Sequence, residues 1–517
     1  MTAENFKIII VGGGTAGWLS AAFLSQQLPI TSGRKIDITL IEASDIPTVG
    51  VGEATVPSLR ETLAACGISE VEFLTSCDAT FKHGIKFVNW RHNPSDNKGE
   101  SYFHPFGAPL KVGTIDPMRA WSKLPQETRG EIADLFSVQS EMAEAGRAPK
   151  HVKDRPYDGA LSYAYHLDAG KFAQYLKTRF RAQGVNHIIG KVSDVKMEPE
   201  SENIASLVLE DGSAHSADLF IDCTGFAARL INADKANRFI DKTDVLFVDR
   251  AVTTRLPHDG ISNINGYTTC TAQSAGWIWD IVLQNRRGVG HVYSSKYIDD
   301  EQAKAELADY LGIAIDDLET RKLKMRIGYH EQQWRGNCVA IGLASGFLEP
   351  LESTGIYLTE MANWALSDLL PRFMAGGSPQ SQFTSAMVHH YENIVDFLKL
   401  HYAISGRRDT AFWRDNVNPD TWPETLKANL DAWKNDVPSV YDFGRSIQCF
   451  SATNYQFVLY GMGWPGHENA STMSPPVKDL FDQLAVRRAR LKQFVLRDTL
   501  TNSEIFSALP RPQKKPA

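Results

Sequence analysis

Glu352 is the residue whose neighbours most suggest chemistry. It lies in Gly346-Phe-Leu-Glu-Pro-Leu-Glu-Ser-Thr-Gly-Ile-Tyr357, a polar, Gly-bounded loop that runs into helical spacing from Ile356 to Leu366. Ser353 and Thr354 are good helix caps and Gly355 permits close backbone approach. The free N–H groups of a helix start attract an anion or an electron-rich ring. A carboxylate directly before such a turn is an odd pairing unless a reaction uses both; a solvated Glu on a capping loop is the plainer alternative. Lys82, in Thr80-Phe-Lys-His-Gly-Ile-Lys-Phe-Val-Asn-Trp90, is a second candidate. Flanked by Phe81 and Ile85, it suits an apolar pocket, where the pKa of an amine falls. Taken singly, a lysine is more often a solvated surface residue.

These groups need a frame, and the N-terminus supplies one. Phe6–Val11 is an apolar run suited to a buried parallel strand. Gly12-Gly-Gly14-Thr-Ala-Gly17 follows, then Trp18–Leu24 with helical spacing, so G-x-G-x-x-G stands between strand and helix, the context a dinucleotide fingerprint requires. A second strand, Ile36–Ile41, ends at Glu42, placed to hold a ribose hydroxyl. Ala217–Gly225 and Gly336–Ser345 are further strand–glycine segments that return to the nucleotide site. They favour FAD over NAD, and no second fingerprint offers a separate NAD(P)H site. Nucleotide-site pieces spread over so much chain resemble the flavin monooxygenase type of fold, an α/β architecture with an FAD-binding Rossmann-like module. Residues 1–370 form that module, with substrate segments inserted at about 91–160 and 235–330. Residues 371–517 form a mainly helical module, with helical spacing at Ser385–Tyr402 and Pro475–Arg497. The stretch Glu127–Arg147 suggests a helix in a surface insertion.

Composition narrows the field. A net charge of −7 with pI near 6.1 leaves no basic footprint for nucleic acid or anionic membrane. The six cysteines are scattered without a C-x-x-C pair, which argues against a zinc site, or any metal site of that spacing, and for reduced thiols in a cytoplasm. The apolar N-terminal run is broken by glycines and reads as structure rather than as a targeting segment. Nothing else is apolar and long enough to cross a bilayer.

Four further segments make the chain resemble the flavin-dependent halogenases of the tryptophan halogenase type: Val49–Pro57, Thr80–Trp90, Gly276-Trp-Ile-Trp-Asp-Ile281 and Leu348–Ile356. The resemblance covers nearly the whole chain. It implies an oxidoreductase that uses FAD as FADH2, O2 and chloride or bromide to make hypohalous acid, and it implies a separate NAD(P)H-dependent flavin reductase; a homodimer is left open. It assigns Lys82 to receiving the hypohalous acid, and Glu352 to the opposing carboxylate, with Glu349 as runner-up. Thr354 and Gly355 match the halide-binding positions. Gly12, Gly14, Thr15, Ala16, Gly17 and Glu42 match the nucleotide site, and Val192, Leu343 and Ile356 match further FAD contacts. Gly52, Glu53 and Ala54 belong to the strap over the flavin, Trp277 and Trp279 crowd it, and His104 with Phe106 matches the platform for an indole ring.

The pattern departs from the family in two places. Val282 replaces the proline of W-x-W-x-I-P. Asp442–Phe450, ahead of Asn454-Tyr-Gln-Phe-Val-Leu-Tyr-Gly-Met-Gly463, shows no aromatic and acidic cluster to clasp an amino acid's ammonium and carboxylate. An indole-like arene is therefore the expected substrate rather than free tryptophan. Two alternatives share the fold, an aromatic monooxygenase and a non-catalytic FAD-binding protein. Neither needs Lys82 with Glu352-Ser-Thr-Gly.

Overall fold

The apolar run at the N-terminus forms the centre of a six-stranded sheet. The computed structural model describes residues 5–45, 52–96, 99–125, 129–233, 235–258, 264–444, 447–465 and 474–510. Strand β1 (Phe6–Val11) leads through the glycine turn into helix α1 (Thr15–Ser32) and strand β2 (Ile36–Glu42). β1 is flanked on one side by β2, which pairs in turn with Asn186–Ile189, and on the other by Leu219–Asp222, which pairs with Cys338–Ala340; all four pairings are parallel. The expected strand–glycine returns are thus neighbours in one sheet. A parallel sheet hides both faces, which is why β1 reads as a continuous apolar run. Ile8 and Ile10 on one face and Trp18, Leu19 and Phe23 of α1 are essentially fully buried, each such side chain stabilising the fold by about 1.5–3 kcal/mol.

A second, seven-stranded sheet combines N-terminal and inserted chain. Strands β3 (Gly52–Ala54), β4 (Thr80–Lys82), β5 (Gly84–Val88) and β6 (Ser101–Pro105) come next along the chain. β5 and β6 pair antiparallel, and β5 pairs parallel with β7 (Thr268–Ala272), itself antiparallel to β8 (Gly276–Val282). The insertion around 235–330 therefore completes this sheet; Arg286–Tyr293, Arg250–Pro257 and Arg321–Lys324 continue it beyond β8. β3 and β4 both pair with Ala164–Asp168, which ties the end of the strap to the strand carrying Lys82. Residues 46–51 of the strap lie outside the described residues.

Among the described residues no strand follows Phe347. Helices α2 (Thr354–Met374), α3 (Gln380–Ala403) and α4 (Ala452–Gly461) build the far side, followed by Pro475–Asp498 and Asn502–Ala508. The expectation for Glu127–Arg147 needs correcting: its described part forms two short helices, Ile132–Phe136 and Gln139–Glu144, rather than one. Ile132, Phe136 and Met142 are buried, so the segment is packed against the body and is no surface appendage. No helix among the described residues is long and apolar enough to cross a membrane.

Candidate active site

A cavity of about 930 Å³ runs from the glycine turn to Glu352 and Ser353. Gly12, Gly14, Thr15, Ala16, Glu42, Gly52, Glu53, Ala54, Val192, Leu343 and Ile356 all line it, together with Gly355, Trp277 and Trp279. The fingerprint glycines divide the work. Gly12 has φ +119°, and a Cβ there would fall 2.1 Å from the Cys223 carbonyl oxygen; a Cβ on Gly17 would fall 1.9 Å from the oxygen of Gly12. Both serve close packing of turn, helix and strand. A Cβ on Gly14 would meet nothing within 4 Å, so that position faces open cavity. A bare backbone turn at a helix start, continuous with a long apolar chamber, fits FAD in shape and in the chemistry of its donors. Glu42 stands at the end of β2 as expected. Its Oε1 already accepts from Lys177 and from His187 (3.0 Å), and Trp18 Nε1 donates to Oε2 at 3.4 Å.

At the other end of the chamber Lys82 and Glu352 are held side by side but not directly paired. Lys82 is fully buried; its Nζ donates to Ser353 Oγ at 2.9 Å and to the Thr55 carbonyl at 3.2 Å, and lies 5.0 Å from the centre of the Phe106 ring. Burial lowers its pKa to about 8, against the opposing pull of the Glu352 charge. Ser353 was expected as a helix cap. It instead sits in the left-handed region (φ 64°) with no side-chain capping bond, and its hydroxyl is given to the lysine. Glu352 is also left-handed (φ 63°). Two consecutive non-glycine residues in that region cost about 1–2 kcal/mol each, strain of the kind that gathers at functional sites.

The Glu352 carboxylate is locked through one oxygen. Burial alone would raise its pKa, yet the interactions with His104 and His401 hold it down at about 2. His104 Nδ1 lies 2.8 Å and His401 Nε2 3.1 Å from the same Oε1. The partners fix the protons. Asn454 Oδ1 accepts from the Ser451 amide, so Asn454 Nδ2 must be the donor to His104 Nε2 (3.0 Å), leaving Nδ1–H to donate to Glu352. His401 faces acceptors on both sides, Glu352 and the Phe397 carbonyl (2.9 Å), so both its bonds require a proton on each ring nitrogen. Glu352 Oε2 is buried with no partner. Glu349 is a different kind of acid: Tyr402 donates to it at 2.9 Å, and burial raises it to about 8, which keeps it neutral.

The remaining expected residues fall around this centre. Thr354 and Gly355 are the first residues of α2, where the amides have no acceptor within the helix. Thr354 is buried, while Gly355 lines the cavity. Trp277 and Trp279 project from one face of β8 into the cavity wall, where Gly290 makes room for the Trp279 ring; a Cβ there would lie 2.3 Å from it. Phe106 is half-buried beside Lys82, whereas His104 is fully buried with both ring nitrogens engaged. His401 and Asn454 were not singled out from the sequence, although two polar side chains, Lys399 and His401, inside the wholly buried stretch Phe397–Ala403 are a signal that the helix meets a polar centre. Near Asp442–Phe450, Phe450 stacks on Phe397 at 3.8 Å and Tyr455 packs edge-on against Phe397 at 4.9 Å; Arg445 and Ser446 lie outside the described residues.

Known proteins resemble this chain over most of its length. The chain is 33% identical to tryptophan 6-halogenase SttH of Streptomyces toxytricini, covering 98% of this chain and 99% of that one. It is 35% identical to tryptophan 7-halogenase RebH of Lentzea aerocolonigenes, with 90% of each covered. The crystal structure of a tryptophan halogenase from Shewanella frigidimarina superposes with a TM-score of 0.91 at 36% identity, over 99% of this chain and 100% of that one. With the tryptophan halogenase family model matching residues 7–475 as well, the chain belongs to the tryptophan halogenases and is a flavin-dependent enzyme.

Proposed function

We propose that this enzyme is a two-component halogenase that passes hypohalous acid from the flavin cavity to Lys82 and on to an indole-like arene. FAD, bound as FADH2 along the glycine turn, would supply with O2 the oxidising power that converts chloride or bromide to hypohalous acid. The cofactor would arrive reduced, because one fingerprint serves FAD and a separate NAD(P)H-dependent reductase must supply the electrons. The N–H groups of Thr354 and Gly355 would hold the halide. Lys82 would then engage the electrophile, as donor or as haloamine. Glu352 Oε2 would stabilise the cationic ring and take its proton, with Oε1 kept busy by two histidines. The observation that carries this reading is the opposed tuning of two buried neighbours, an amine at about 8 and a carboxylate at about 2. Glu349, held neutral, has no anionic charge to offer.

The substrate ring would sit against Phe106 and the face of His104, whose edges are taken by Glu352 and Asn454. The sequence shows no clamp for ammonium and carboxylate, so nothing directs a benzo-ring carbon at Lys82. Indole should react faster than L-tryptophan, at its most nucleophilic carbon, C3. Equal concentrations of both, supplied with FAD, a reductase, NADH and bromide, test this; a preference for tryptophan with halogen on the benzo ring would overturn it. NADH consumption by the purified chain with FAD but without reductase would overturn the two-component reading.

A further inference from the structure

The chamber that would make hypohalous acid carries a thiol on its wall. Of the six cysteines only Cys223 and Cys270 line the cavity, at different ends. Cys223 packs against the glycine turn, where a Cβ on Gly12 would meet its carbonyl. Cys270 lies on β7 directly opposite Trp279 of β8, whose ring also lines the cavity. Cys270 lines the same cavity as Glu352 and Ser353, and the charges of both Glu352 and Lys82 act on its sulfur. One unpartnered polar atom marks this end as built for a polar guest: Glu352 Oε2, on a side chain with no exposure, on a residue that lines the same cavity. Lys82 is set behind that wall, held by Ser353 and Thr55.

We propose that Cys270 is an oxidative modification site, converted to a sulfenic acid by hypohalous acid formed in the cavity, in competition with capture at Lys82. This rests on the function proposed above. The thiol sulfur attacks the halogen of HOX; a sulfur–halogen bond forms, the O–X bond breaks, and hydroxide leaves as water with the thiol proton. Water then displaces halide from sulfur, giving R–SOH, a proton and X−. Sulfur loses two electrons and the halogen gains them, so no further oxidant is needed. Burial and the neighbouring Glu352 charge keep the group a thiol rather than a thiolate. That slows the attack and lets transfer to Lys82 compete. When organic substrate is short, nothing drains Lys82, and the thiol becomes the remaining acceptor.

The test runs the full-length enzyme with FAD, reductase, NADH, bromide and catalase, without organic substrate, and traps sulfenic acid with dimedone before peptide mass spectrometry. The expected result is roughly tenfold more adduct at Cys270 than at Cys223, the ratio that about 1.4 kcal/mol of barrier produces, with none when bromide is left out. Lys82→Ala should raise the adduct further, and Cys270→Ser should keep a larger fraction of its own initial rate after equal NADH consumption. Adduct spread evenly over the cysteines, adduct formed without bromide, or equal inactivation of Cys270→Ser would overturn the proposal. A parallel reaction with indole separates the two readings. Brominated indole in that reaction, with Cys270 left unmodified in the substrate-free one, defeats only this proposal, whereas no brominated product from active reductase defeats both.

Discussion

The central pair differs from ordinary lysine and glutamate through its surroundings, and those differences are measurable residue by residue. Glu352→Gln keeps the shape but removes the charge that Oε2 would offer, so halogenation should fall by about two orders of magnitude, within the range of a positioned acid/base group. Glu349→Gln replaces an acid that burial already keeps neutral and should change the rate far less; reversed effects in side-by-side kinetics would exchange the two roles. Lys82 loses its proton at about 8 rather than 10.5, so its reactivity toward a small amine reagent should rise as pH passes through 8 and level off above. A midpoint near 10 in peptide mapping would mean that the amine is solvated. Lys82 and Glu352 were legible in the sequence because each sits in a distinctive local motif. His401 and Asn454 were not, since each meets the centre across the fold: Asn454 touches a histidine 350 positions away, and helical periodicity names a face rather than a partner. Ser353 was misread for a related reason, because its cap chemistry is local while its lysine partner lies on another strand.

At the scale of elements, the glycine turn and helix α4 each do two things that mutation can separate. Gly17→Ala should destabilise the protein without any ligand present, because its Cβ would fall 1.9 Å from the Gly12 carbonyl oxygen. Gly14→Ala meets nothing in the protein, so its melting temperature without FAD should be unchanged while FAD affinity drops. Equal melting curves for both variants would contradict the division of labour. In α4, Ser451 and Asn454 form a capping box, and Asn454 also sets the His104 tautomer. Ser451→Ala should cost about 1 kcal/mol of stability but spare activity, since the Ser451 amide still orients Asn454. Asn454→Ala should lose both. The turn was readable beforehand because glycine spacing encodes it directly. The place of the inserted strands was not, because the one that joins them to the rest of the sheet, β7, pairs with β5, which lies far away in the chain.

The whole molecule joins a nucleotide sheet, a second sheet and a helical side around one chamber, with the glycine turn at one end and Glu352 at the other. The two ends are coupled only through what crosses between them. Removing the lysine should therefore stop halogen transfer without disturbing the flavin site, since Lys82 lies behind the cavity wall and, among the described residues, donates to Ser353 and Thr55. The most direct measurement compares the native chain with Lys82→Ala, following FAD affinity by fluorescence and halogenated indole by mass, under reductase, NADH, O2 and bromide. Equal FAD affinity is expected, with halogenation reduced to the background of reductase alone. A variant that still halogenates indole at a rate close to the native enzyme would show that freely diffusing hypohalous acid does the work and would contradict the role given to Lys82.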